Sequence, residues 1–393
     1  MIDQVALGII SSLPTVEGLP RLITDVALSF GFFVIVAMAL NFQYGNAGIP
    51  NMGCAVQVIV GAFTLSAITS RLSYQIMVWI NVPIGPWDTN YDWIYGNVAR
   101  VGVVNEVIKN NPFLGIGLLL FSLAVAMVLG AILGYLMSLP AIRLRATYLM
   151  IVLITVADAS QRFGFNIPAI CGGTLGMAIP NPFEWYPGDQ SLVVGVVTLF
   201  IGLVSFFVFR TMLNSPYGRL MRSIRENEVT VSSVGKNVVS IRRNILMFAS
   251  AITAIAGVLY ATWINFVSVS FYYRNYWTYW PWLMLILGGP GNNAGTFLGC
   301  VLIVIFRKLI QMYKWVIDPY IFFTAQILED LILGFLLLAV MLFRPNGLIP
   351  EKLLYIPGVN YTQLVKEQVK VDWRSTPKAR KTKPSSEAKE ADK

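Results

Sequence analysis

Bond-making chemistry lacks its usual instruments in this chain. There is no histidine, the commonest general base and metal ligand. Cys54, Cys171 and Cys300 stand in separate segments without ligand-like spacing, so neither a disulfide framework nor a metal centre is expected. No G-x-x-x-x-G-K-S/T phosphate loop occurs, so nucleotide chemistry is not expected in this chain. Catalytic residues and cofactors are therefore expected to be absent. The sequence offers amides, glycines and a few charges set among apolar runs, which suits binding and movement.

Three such sets stand out. The first is LNFQYGNAGIPNMGCAV, Leu40 to Val56, which places Asn41, Gln43, Gly45, Asn46, Gly48, Asn51 and Gly53 between two apolar runs. Glycine and proline are poor helix formers, and unpaired amides are costly in lipid. Two readings stay open: a plain turn between two spans, or a helix junction lining a translocation path. In the second, the amides satisfy freed peptide groups or a zwitterionic solute. The second set is Arg307 and Lys308 against Glu329 and Asp330. At the helical rise these lie about 18 Å and about 21 Å from the inner ends of two antiparallel spans, a similar depth. A structural ion pair is expected, with snorkelling to the interface as the alternative. In the third, Asp158 stands four residues before Arg162, a spacing that allows a local helical pair.

The elements that must position these groups are membrane spans. The chain has 393 residues, 56% hydrophobic and only 12% charged, with mean hydropathy +0.65. Its apolar runs are long enough to cross a bilayer as helices, so an all-α polytopic membrane protein is expected. About nine spans are expected, at roughly 25–42, 48–69, 113–138, 142–160, 190–210, 245–267, 277–289, 293–312 and 321–343. The seventh is short. Residues 1–24 read as an N-terminal extracytoplasmic or interfacial segment, with an interfacial helix at 4–13. Residues 25–350 read as the transmembrane domain, and 351–393 as a basic, disordered cytoplasmic tail. Arg143, Arg145, the 210–243 connection and that tail carry the basic residues, which places all of them inside. An odd number of spans then puts the N-terminus outside, together with the 70–112 and 161–189 loops. Most of the +9 net charge is thus topological, and nucleic acid is not an expected partner.

The connection SPYGRLMRSIRENEVTVSSVGKNVVSIRRNILMFAS is amphipathic. Leu220, Met221, Ile224, Val231 and Val234 recur near helical spacing, opposite Arg219, Arg222, Arg225, Glu226 and Glu228. It reads as a pair of short helices, resting either on lipid headgroups or in a groove of a cytoplasmic partner.

This loop resembles the coupling segment of the permease subunits of branched-chain amino-acid ABC importers, the LivM type. The matching residues are Ser215 to Arg219, Ile224 to Glu228, and Gly235. The same order holds for Leu40–Asn41 with Gly45, Gly48, Asn51 and Gly53, for LPAIRLRATYL at 139–149, and for GGTLG at 172–176. GGPGNNAGTFLG at 288–299 and FRPNGLI at 343–349 complete the set. Ala146–Thr147, Cys54 and Thr230–Val231–Ser232 depart from the family pattern. The resemblance implies the architecture of a large ABC importer permease in the plasma or inner membrane. Its implied partners are two ABC ATPase subunits, a sister permease and an extracytoplasmic solute-binding protein. It implies ATPase coupling through 215–243, with Gly218, Arg219, Arg222, Arg225, Glu226, Asn227, Glu228 and Gly235. It also implies a translocation path along the Leu40–Val56 segment; Gly172, Gly173 and Thr174 stand either beside that path or in a simple external loop turn. The implied cargo is Leu, Ile or Val. Urea or short amides in the same family, or an ion-coupled secondary carrier, are the alternatives.

Overall fold

The computed structural model describes residues 18–79, 94–312, 325–344 and 346–351. The expected interfacial helix at 4–13, the centre of the 70–112 loop and the tail beyond Glu351 lie outside the described residues. Contacts divide the chain after Glu351.

Helix α1, Gly18–Leu40, starts earlier than the expected residue 25. From Phe32 to Leu40 no side chain is more than 1% exposed. An apolar surface on all sides marks a helix at the centre of a bundle. It passes into a π-turn at Asn41–Asn46. Helix α2, Cys54–Thr64, runs through a second π-turn, Leu65–Thr69, into α3, Ser70–Trp79. Beyond it come α4, Asn97–Asn110, α5, Pro112–Arg143, and α6, Ala146–Asn166. Proline at the first position of α5 needs no amide partner there. The one-turn α7, Pro168–Cys171, leads to strand β1, Met177–Ala178. Helix α8, Gln190–Asn214, is capped by Asp189, whose carboxylate accepts the Ser191 N–H at 3.0 Å.

Two short helices follow, α9, Pro216–Glu226, and α10, Glu228–Ser233. Helix α11, Val238–Ile264, leads into β2, Phe266–Val267, which pairs antiparallel with β1. A third π-turn, Asn275–Tyr279, opens α12, Trp280–Gly288. Helices α13, Asn293–Met312, and α14, Ala325–Phe343, close the described chain.

Helix α11 lies against α5, α2 and α1, α1 also lies along α8, and α12 packs on α13. Small residues set these distances: a Cβ at Gly61 would overlap the Ala254 carbonyl, and one at Gly257 the Val58 carbonyl. Helix backbones that touch in this way are typical of membrane bundles. Phe113, Leu120 and Val128 of α5, with Val196, Phe200 and Phe207 of α8, point outward. Such faces suit lipid contact.

Six helical stretches among the described residues are long and apolar enough to cross a membrane: Ile23–Asn46, Cys54–Trp79, Pro112–Arg143, Gln190–Asn214, Val238–Ile264 and Asn293–Met312. Two of the other expected spans fall short of that measure. Helix α6 is diluted by Asp158, Gln161, Arg162 and Asn166, and α12 is only nine residues long after its π-turn. The ninth expected span, 321–343, lies partly outside the described residues, which resume at Ala325 in the apolar α14.

Candidate functional site

Four sequence segments far apart in the chain meet at one end of the bundle. At the end of α1 the π-turn carries one residue more per turn than an α-helix, a feature common at functional sites. Asn41 is fully buried there. Its Oδ1 accepts the Gly291 N–H at 2.9 Å, and its Nδ2 donates to Asn293 Oδ1 at 2.8 Å. That ties the turn to the glycine-rich link between α12 and α13. Leu348 and Ile349 donate their N–H groups to the carbonyls of Leu287 and Gly288, at 2.8 and 3.1 Å, which brings the segment after α14 to the same place.

The fourth segment is α9. Its buried Gly218, Met221 and Ile224 face inward, and the Arg225 side chain reaches across to the junction. Arg225 Nη1 donates to the Gly45 carbonyl, and Nη2 pairs with Glu351. The glycines make room for it. A Cβ at Gly45 would overlap Asn41 Oδ1 and lie 2.5 Å from the Gly291 nitrogen. Gly48, with φ +70°, has Arg225 Cγ 2.9 Å from where its Cβ would stand.

The remaining amides of the stretch are spent within the chain. Asn51 Nδ2 donates to Gln43 Oε1 at 2.7 Å, and Asn51 Oδ1 accepts the Gly53 N–H at 2.8 Å. The Asn51 carbonyl accepts the Trp282 indole N–H at 2.9 Å, and Asn46 Nδ2 donates to the Asn41 carbonyl at 3.0 Å. Gln43 Nε2 is buried without a hydrogen-bond partner. Satisfying freed peptide groups is thus what most of these amides do.

On α9 and α10 the charges do not pair with one another. Arg222 donates to the Leu213 carbonyl at 2.7 Å, and Glu228 meets Arg242 at 2.8 Å. Asn227 caps α10 by accepting the Thr230 N–H at 3.1 Å. Ile224, Val231 and Val238 form a small core with Leu220. Val234 was expected on that face, but it stands exposed with Val229 because the chain turns at Gly235, φ +79°. Arg219, Glu226, Glu228 and the two valines make the outer surface. In α9, burial pushes the Tyr217 hydroxyl above its ordinary pKa.

Gly172, Gly173 and Thr174 lie at the opposite end. Gly172 and Gly173 take positive φ of 77° and 62° in the turn that follows α7 and precedes β1. Thr174 is exposed. Nearby, burial pushes the Cys171 thiol up to about 11.

Among the expected charges, Arg307 and Glu329 meet at 3.2 Å, with side chains only 7% and 11% exposed. The Arg307 guanidinium also lies 4.3 Å from the ring centre of Trp280 and 4.7 Å from that of Tyr276. Lys308 and Asp330 form no ion pair within the described residues, and Asp330 is exposed. Asp158 does not take Arg162. It accepts instead from Arg274, which arrives from another segment, at 2.7 Å, and Arg162 stays exposed on α6. Glu351, Gly291, Asn293 and Arg274 had no individual role on sequence grounds. The clue to three of them lay in the GGPGNN and NGLIPE motifs, whose polar residues sit beside glycines.

Among known proteins, residues 22–341 match the family described as branched-chain amino acid transport system, permease component. A probable branched-chain amino acid transport permease protein LivM of Methanocaldococcus jannaschii is 35% identical, across 86% of this chain and 95% of its own. The high-affinity branched-chain amino acid transport system permease protein LivM of Salmonella typhimurium is 27% identical, across 83% of this chain and 69% of its own. The Escherichia coli protein of the same name is 26% identical, across 65% and 63%. No solved structure matches.

Proposed function

The chain belongs to the branched-chain amino acid transport permease family, and from that premise we propose that it is the membrane-spanning subunit of an ATP-driven importer of Leu, Ile or Val. Family members are transport components, and ATP hydrolysis is assigned to separate partners. Two ATPase subunits dock on the α9–α10 surface at the cytoplasmic face, a sister permease completes the pore, and an extracytoplasmic binding protein delivers the solute. The N-terminus lies outside and the C-terminus in the cytoplasm.

One observation carries this reading: Arg225 of the surface helix α9 is bonded to the Gly45 carbonyl inside the bundle. A push on α9 therefore reaches the π-turn of α1, and through Asn41 the α12–α13 link, by direct hydrogen bonds. Arg219, Glu226, Val229 and Val234 present charged and apolar groups to the docking partner, while Arg222 and Glu228 hold the two helices in place. Asn41, Gln43, Asn46 and Asn51 with Gly45, Gly48 and Gly53 shape the inner end of the solute path. The free Nε2 of Gln43 gives that wall one unspent donor. Thr174, on the Gly172–Gly173 turn, stands at the opposite mouth. The Arg307–Glu329 pair is a fixed strut between α13 and α14.

Gentle extraction from the native membrane, followed by mass identification, tests the assembly. P-loop ATPases and a second permease are expected to accompany the chain. In the reconstituted complex, Arg225→Ala is expected to keep the partners bound and lower ATP-driven leucine uptake about tenfold, a loss of coupling equivalent to about 1.4 kcal/mol. A chain that purifies alone and exchanges leucine without ATP overturns the reading in favour of a carrier.

A further inference from the structure

At the end of the bundle away from Arg225, α6 and the segment leading into the third π-turn line a half-open cavity of about 500 Å³. That volume is in the range of small-molecule sites. Its charged lining is Asp158 and Arg162 from α6 and Arg274 from the facing segment. Two arginines and one carboxylate thus share this lining, which carries one positive charge in excess.

The Asp158–Arg274 pair, at 2.7 Å, has side chains 45% and 42% exposed. Pairs so exposed contribute little to stability, so a ligand that brings both charges can replace the contact at little cost. Arg162 forms no ion pair among the described residues. Its planar fork suits a carboxylate. Gln161 spends its Nε2 on the Val269 carbonyl at 3.4 Å, which leaves its Oε1 as an acceptor beside Asp158. Phe165 and Tyr273 add aromatic surface to the same lining.

We propose that this cavity is a receiving site for the dipolar head of a free α-amino acid. The carboxylate is held by Arg162, the ammonium by Asp158, and an apolar side chain lies against Phe165 and Tyr273. The proposal rests on the amino-acid transport reading above and gives it a binding step within this chain. In that step the solute is sorted by its two charges before it moves inward. Selection at this point favours any amino acid with an apolar side chain over a neutral amide.

The test uses the full chain in phosphatidylcholine nanodiscs, without partner subunits or ATP, with ligand contact read by saturation-transfer NMR. The probes are leucine, 4-methylpentanoate, which lacks the amine, and 3-methylbutylamine, which lacks the carboxylate. Leucine is expected to bind most strongly and the amine least. Arg162→Gln is expected to weaken both carboxylate ligands at least tenfold. Asp158→Asn is expected to weaken leucine by a similar factor while leaving 4-methylpentanoate unchanged or tighter. A merely structural role for Asp158 does not produce that crossing pattern. Equal leucine binding by parent and Arg162→Gln overturns the proposal, as does a parallel loss of both ligands in Asp158→Asn. If leucine is displaced when ethanolamine lipid replaces choline lipid, the site belongs to a headgroup and the proposal falls. Intact leucine uptake by the assembled complex, with no binding here, removes the cavity reading alone. Absent uptake removes its premise.

Discussion

Two arginine–carboxylate pairs hold opposite parts of this protein, and their settings differ. Arg225 and Glu351 are 28% and 27% exposed and sit where four segments converge. The arginine there also binds a backbone carbonyl. Arg307 and Glu329 are 7% and 11% exposed, between two helices, with aromatic rings over the guanidinium. A dry pair is costly to open, since removing either partner strands a charge in a medium that cannot solvate it. A half-wet pair can be exchanged, because water takes over much of each charge. The first is suited to a joint that moves and the second to one that must not.

The sharpest way to break this contrast is Glu329→Gln. With Arg307 left uncompensated, the chain in detergent is expected to lose about 3–5 kcal/mol of stability, seen as a large fall in its thermal midpoint. The double variant Arg307→Met with Glu329→Leu is expected to recover most of it. A small loss in the single variant would place this pair in the same class as the other one.

A middle effect is expected at the junction itself. Gly45→Ala forces a methyl group into Asn41 Oδ1 and the Gly291 nitrogen. Overpacking of this kind costs about 1–3 kcal/mol, and leucine uptake is expected to fall together with stability. Unchanged uptake and midpoint would show that the junction yields freely. The smallest effect is expected for Glu351→Gln. Arg225 keeps its bond to the Gly45 carbonyl, so the midpoint is expected to move by the equivalent of about 1 kcal/mol or less. A loss as large as that of Glu329→Gln would erase the distinction between the two pairs.

Much of the bundle was legible in its apolar runs, because a bilayer demands about 20 apolar residues per helix. The runs at 25–42, 113–138, 190–210, 245–267 and 293–312 each fall on one helix, with ends that caps and prolines move by several residues. The nine expected spans were less secure. Hydropathy cannot tell a short helix buried by its neighbours, such as α12, from one that crosses lipid. The pairing of Arg307 with Glu329 could be anticipated because two antiparallel helices fix depth by counting residues. Asp158 shows the limit of counting: the four-residue spacing pointed to Arg162, yet a segment more than a hundred residues away supplied the partner. The junction was legible only in pieces. Its glycines and asparagines were visible as motifs, but which motif meets which depends on the packing of α1, α9, α12 and α13. Such packing leaves no periodicity in the sequence.

The three π-turns have a consequence for the angular phase of their helices. Each residue advances an α-helix by about 100°, so the additional residue in a π-turn rotates everything beyond it by roughly that angle relative to an uninterrupted helix. In the second span this happens midway, at Leu65–Thr69. Before it, the buried residues run almost all round from Cys54 to Ala62, including Gly61. After it, only Ser70, Ser73 and Met77 of α3 face inward. A single rod is thereby divided into two compass bearings, one set by α11 and the other by the opposite end of the bundle. A helical-wheel projection drawn across the whole of Cys54–Trp79 would assign half of that span to the wrong neighbour.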